Sequence, residues 1–165
     1  MTKRLILIRH AKSSWEHPGA DFDRPLNNRG YKSAPAIGVW LRENGYLPDA
    51  ILSSSAKRTR ETCYGLHFDA PARFEDSLYL ATPKVMLVEL KKETVDTVLM
   101  LGHNPGIADF AEQLVDIPPQ HNRFYDYPTC ATTVIDFEIH DWSQIEAGTG
   151  KVVDFIVPRE LLEAR

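Results

Sequence analysis

The sequence predicts an α/β fold: a single domain over residues 1–165, with a mainly parallel central sheet, helices on both faces and an antiparallel hairpin at the C-terminal edge. Three observations predict it. The runs Leu5–Ile8, Ala50–Ser53 and Thr97–Leu101 are short and almost continuously apolar, the pattern of strands covered on both faces. Segments with apolar residues at helical spacing lie between them, and strand–helix–strand alternation brings successive strands in parallel. After residue 130 the pattern changes to period two, in two runs joined across a turn at Gly148–Gly150, as in an antiparallel hairpin.

Each element follows in order. The first strand, Leu5–Ile8, runs directly into Arg9, His10 and Lys12, and the polar stretch SSWEHPGADFDRPLNNRG comes next. Ala34, Ile37, Trp40 and Leu41 recur at helical spacing; Ser33 can cap that helix, and Pro35 fits only its first turn. DAILSSS is the second strand and leads into AKRTRETCYGL, a helix starting near Ser55 or Ala56. Thr82-Pro83 has the form of an N-cap and an N1 proline, opening the helix KVMLVELKK. The strand at 97–101 ends in Gly102-His103, and Asn104-Pro105 starts a helix with Ile107, Phe110, Ala111 and Leu114 on one face. A long loop, 116–130, precedes ATTVIDFEI, a strand with one wetter face, and KVVDFIVP pairs with it.

Composition narrows the function. A chain of 165 residues can bury a core without disulfides or metal. Its 43% hydrophobic and 25% charged residues are ordinary for a globular protein, and a formal charge of −4 gives no general attraction to nucleic acid or anionic membrane. Any cationic site must therefore be local. Lys57 and Arg60 flank Arg58 as a solvated helix face rather than a nucleic-acid patch. Cys63 and Cys130 lack CxxC spacing and read as packing residues of a reduced compartment. Leu5–Ile8 is too short for a signal-peptide core or a membrane span, so a cytoplasmic location is expected. Self-association has no visible signature.

Three strands end in unusual polar residues: Arg9-His10, the turn leading to Arg58, and Gly102-His103. In a parallel sheet these ends share one edge, where ligands bind. Arg58 in the first turn of a helix opposes the helix dipole unless an anion is bound there. Two guanidinium groups flanking histidines suit a phosphoryl guest. A neutral imidazole is a competent nucleophile toward phosphorus, neighbouring cations keep it neutral, and a second histidine can stabilise the transferring oxygens. His17, His67, His121 and His140 lack metal-ligand spacing and receive no role.

LIRHAKSSW, FDRPLNNRG, SSSAKRTRET and GHNPG together resemble the histidine phosphatase superfamily, and in a chain this short look most like SixA-type phosphohistidine phosphatases. The likeness runs from the first strand to about Leu114, with weaker echoes in YPTCA, Trp142 and FIVPREL. The resemblance implies a phosphoglycerate-mutase-like fold and a phosphatase in which His10 is the nucleophile, Arg9 and Arg58 clamp the phosphate and His103 is the second pocket histidine. It implies no metal and no cofactor. Lys12 and Asn104 are further phosphate-binding candidates. Two departures matter: Ala11 stands where the family commonly has glycine, and the general acid has only Glu75 or Asp76 as loose candidates.

A missing acid favours phosphohistidine, whose imidazole departs more readily than an alkoxide. The expected partner is a phosphorylated protein, such as a phosphotransfer domain, or a small phosphorylated compound. Three other readings stay open: a phosphohistidine- or phosphate-binding module with little turnover, a zinc hydrolase using His10 and His103, and a mutase. Whether the 116–130 loop closes over the site as a lid is also open.

Overall fold

The computed structural model describes residues 1–163. In chain order the elements are β1 (Lys3–Arg9), α1 (Asn28–Glu43), β2 (Ala50–Ser54), α2 (Lys57–Leu66), β3 (Ala72–Glu75), α3 (Pro83–Leu90), β4 (Thr97–Gly102), α4 (Gly106–Leu114), β5 (Thr132–Phe137), β6 (Lys151–Ile156) and α5 (Pro158–Leu162). Short 3-10 turns lie at Asp21–Asp23, Asp76–Leu78 and Trp142–Gln144. The strands form one sheet in the order β3-β2-β4-β1-β5-β6. Strands β1 to β4 run parallel, while β5 is antiparallel to β1 and β6 to β5.

The continuous apolar runs have the physical meaning expected of them. Leu5 and Leu7 of β1 pack with Val98 and Met100 of β4 under α3 and α4, through Met86, Leu90, Ile107 and Phe110. Ile6 and Ile8 pack on the opposite face with Leu99 and Leu101 under α1 and α2, through Ile37, Leu41 and Leu66. All four β1 residues are fully buried, each stabilising the fold by about 1.5–3 kcal/mol. Helix α2, which carries Arg58, is set close against α1: a Cβ on Gly38 would lie 2.4 Å from the Leu66 carbonyl oxygen, so only glycine permits this approach.

Three local expectations are corrected. Helix α1 begins at Asn28, capped by Asn27, whose Oδ1 accepts from the Gly30 N–H at 3.0 Å. Ser33 therefore lies inside the helix, its hydroxyl donating to the Arg29 carbonyl at 2.9 Å, and Pro35 is also interior. The earlier cap wins because it satisfies an orphan donor of the first turn. Strand β3, with the sequence Ala-Arg-Phe-Glu, has no apolar run and was not expected; as an edge strand it needs only one partner, β2. The wetter face of β5 is confined to its end, since Thr132–Ile135 are buried on both sides while Asp136 is half-buried and Glu138 just beyond it is exposed.

Candidate active site

Register places the catalytic candidates side by side. Arg9 of β1 lies opposite Gly102 of β4, and Ser53 of β2 opposite Leu101. His10, His103 and the β2–α2 turn therefore emerge together at the carboxyl edge of the sheet. The His10 N–H donates to the Gly102 carbonyl at 3.1 Å, and the two imidazole centroids are 5.3 Å apart. Arg9, His10, Lys12, Arg58, His103 and Asn104 all line one cleft of about 370 Å³.

The hydrogen bonds define the state of His10. Its Nδ1 is 2.7 Å from the Ala11 carbonyl oxygen, which can only accept, so Nδ1 carries the proton and Nε2 the lone pair. Burial, His103, Arg9 and Arg58 hold the imidazole well below its ordinary pKa, against the opposing pull of that carbonyl. Ala11 is itself buried, its N–H donating to Thr62 Oγ1 at 2.9 Å, and its φ is not positive. The turn that commonly holds glycine thus accepts a Cβ at no conformational cost.

His103 Nε2 lies 2.8 Å from Ser54 Oγ, which also accepts from the Ala56 N–H. The Ser54 hydroxyl has one proton to donate and a second lone pair to accept with, so this contact serves either tautomer of the ring. Burial, then Arg58, Arg9 and Arg24, lower the His103 pKa to about 3, Asp21 opposing. Four buried polar side-chain atoms have no partner among the described residues, Arg9 Nε, Arg58 Nε, His103 Nδ1 and Asn104 Oδ1, and all four belong to residues of this cleft. Native folds rarely leave such atoms unpaired outside functional sites.

Arg58, 2% exposed, donates through Nη1 to the Asp21 carbonyl at 2.7 Å and through Nη2 to Asp21 Oδ2 at 3.0 Å. Asp21 also accepts from the Tyr79 hydroxyl and from Arg24 Nε at 3.1 Å. These partners, Tyr79 foremost, hold its pKa down to about 2 against desolvation. Arg24 in turn reaches Ser13 Oγ and stacks 3.8 Å from the centroid of Trp15, which is 77% exposed at the cleft mouth. Sequence reasoning missed Asp21; its one signal was its place three residues before Arg24 in ADFDRPL.

Glu75 and Asp76 are not brought into the cleft. Glu75 accepts from Arg73 at 3.0 Å and Asp76 from the Ser55 hydroxyl, and neither lines the cavity. Asn104 turns its amide nitrogen away, donating to the carbonyls of Asp126 at 2.9 Å and Tyr127 at 3.1 Å. It anchors the 116–130 loop, as do Arg9 Nη1 on the Tyr127 carbonyl and the Cys130 N–H on the carbonyls of Arg9 and His10. Residues 126–130 are thus tied to Asn104 and to the end of β1, and Thr129 lines the cleft. Among the described residues no cluster of three or more His, Cys, Asp or Glu could hold a metal ion, and no helix is long and apolar enough to cross a membrane.

A family model described as histidine phosphatase superfamily (branch 1) matches residues 5–79. An uncharacterised protein of Mycobacterium tuberculosis is 36% identical over 159 residues, 92% of this chain and 100% of the relative. A structure from Agrobacterium tumefaciens, assigned as a phosphohistidine phosphatase SixA, is 30% identical with a TM-score of 0.79, covering 94% of this chain and 98% of its own. The chain belongs to the histidine phosphatase superfamily. A similarly assigned structure from Nakamurella multipartitia aligns with a TM-score of 0.82 at 27% identity, over 96% of this chain and 97% of that one. In this histidine phosphatase the family match begins at Leu5 of β1 and ends at Tyr79, the residue that donates to Asp21. His103 and its cleft neighbour Asn104 lie beyond it and are joined to the site by the β1–β4 pairing.

Proposed function

We propose that this phosphatase works in two steps through a covalent phosphohistidine on His10, without a metal ion, on phosphoramidates such as phosphohistidine in proteins or on small phosphorylated compounds. The observation that carries the reading is the His10 Nδ1–Ala11 carbonyl bond, which leaves Nε2 as a bare lone pair in a cationic cleft. In the first step a bond forms between Nε2 and phosphorus as the bond from phosphorus to the leaving nitrogen breaks. Arg9, Arg58 and His103 stabilise the equatorial oxygens, and the leaving imidazole departs neutral after solvent protonates its other nitrogen. Water then attacks phosphorus, releasing phosphate and a proton and restoring His10.

The carboxylate lining the cleft supports the choice of leaving group. Asp21, with its pKa near 2, is ionised at neutral pH and has no proton to give an alkoxide. A phosphohistidine takes its proton from solvent and needs none from the protein. Intact-mass spectrometry after rapid mixing with phosphoramidate, in the presence of a chelator, tests the reading. The unmodified chain gains one phosphoryl group that is acid-labile and base-stable, and His10→Ala gains none. Phosphate binding without any such adduct would overturn the covalent mechanism and favour a binding module.

A further inference from the structure

Beside the catalytic cleft lies a second concavity of about 370 Å³ whose walls include Arg9, Lys12, Arg29, Arg123, Arg159 and a carboxylate, Asp126. These side chains come from the end of β1 and the segment after it, the first turn of α1, the 116–130 loop and the start of α5. Asp126 is already engaged, since Arg123 Nε donates to both its oxygens at 3.0 and 3.2 Å. Arg159 spends only its Nε, on Glu163 at 2.9 Å. No salt bridge among the described residues involves Lys12 or Arg29.

A chain of net charge −4 has thus gathered five cations around one hollow with one carboxylate already spoken for. Like charges held together repel, and they are retained where an anion arrives to reverse the balance. Two further observations point the same way. Arg29 stands in the first turn of the sixteen-residue α1, which has no acidic residue there, so the helix dipole opposes it as it opposes Arg58 on α2. Arg9, whose buried Nε has no partner among the described residues, lines both hollows, and Lys12 and Thr129 do the same. The cationic surface is continuous from the phosphoryl site into the second pocket.

We propose that this pocket is a subsite for a second anionic group, carboxylate or phosphate, on the same substrate as the transferred phosphoryl group. The proposal rests on the phosphatase reading above and narrows its substrates to multiply anionic ones. The second anion has two sources, an acidic side chain flanking a phosphohistidine or a further phosphate of a small molecule, and both present the same oxygens to guanidinium groups.

The test uses Arg29→Ala/Arg159→Ala, which leaves every residue of the catalytic cleft in place. In one arm, hydrolysis of a phosphohistidine peptide flanked by aspartates is compared with that of the same peptide flanked by asparagines. In the other, calorimetry compares binding of tripolyphosphate and of inorganic phosphate. The double variant is expected to raise KM for the aspartate peptide, or Kd for tripolyphosphate, about tenfold, equivalent to about 1.4 kcal/mol, while kcat, the asparagine peptide and inorganic phosphate stay unchanged. An effect in the first arm identifies an acidic protein segment, and one in the second a polyphosphorylated small molecule. If neither aspartate flanks nor tripolyphosphate distinguish the double variant from the unmodified chain, the subsite is refuted. A chain that hydrolyses neither peptide refutes phosphohistidine proteins as the substrate instead, and the tripolyphosphate arm still decides the subsite.

Discussion

Acidifying the solution from pH 7 to pH 5 should cost this fold stability through His103. The folded state holds that imidazole neutral down to about pH 3, chiefly by burying it and secondarily through Arg58. An unfolded chain protonates the same ring near pH 6.5. Between these values the unfolded state binds the extra proton, so the contribution is fully present above about pH 6.5 and declines as the pH falls toward 3. By pH 5 the unfolded ring has gained about 1.5 pH units of protonation, or about 2 kcal/mol. His10, depressed for the same first reason, adds a loss of the same sign. Urea unfolding at the two pH values, for the unmodified chain and for His103→Asn, isolates the effect: the variant should lose about 2 kcal/mol less on acidification. With a urea slope of about 1–3 kcal/mol/M, that is a midpoint difference on the order of 1 M. Equal losses in the two proteins would refute the claim that His103 is held neutral by its surroundings.

Three more outcomes are expected. Gly30→Ala would place a Cβ 2.1 Å from the Lys12 carbonyl oxygen, forcing the backbone next to His10 to move; a loss of about 1–3 kcal/mol and a fall in kcat are expected from melting curves and turnover, and an unchanged melt would contradict the packing. Asp21→Asn keeps the shape beside Arg58 but removes a charge that repels phosphate, so inorganic phosphate should inhibit about fivefold more tightly, about 1 kcal/mol, and weaker inhibition would contradict this. Tyr127→Phe deletes a buried hydroxyl bonded to the Leu7 carbonyl at 2.6 Å and to Thr133 Oγ1 at 2.8 Å, and should cost about 1–2 kcal/mol in urea unfolding, no change being the contrary result.

Arg9, His10, Arg58 and His103 were legible in the sequence because each follows a short apolar strand or opens the next helix, and parallel pairing alone carries them to one edge. Thr82-Pro83 marked the start of α3 for the same local reason, a cap that acts within one turn. Asp21 had no such mark. It sits in an irregular loop, and its meaning depends on Arg58, 37 residues away, and Tyr79, 58 residues away. The second cationic pocket was equally invisible, since Arg29, Arg123 and Arg159 share neither a motif nor a spacing and meet only when the 116–130 loop packs near the starts of α1 and α5. The sequence places the start of α1 too late because Ser33 reads as a cap with Pro35 in the first turn, whereas the Asn27 cap decides it.

Asp21 ties the resting site to its chemistry. Arg58 is buried at a helix N-terminus near Arg9, where an uncompensated guanidinium would be expensive to hold. The Asp21 carboxylate and carbonyl supply the missing oxygens, fixing the guanidinium plane before any ligand arrives. The same contacts keep Asp21 ionised, so the residue that orders Arg58 is unable to protonate a leaving group. Under the proposed mechanism such a site is organised to receive phosphorus and leaves protonation to solvent, which matches a leaving imidazole and works against an alkoxide. Weak turnover of phosphate esters would therefore follow from how the anion pocket is held together, and would not require a defect in the nucleophile.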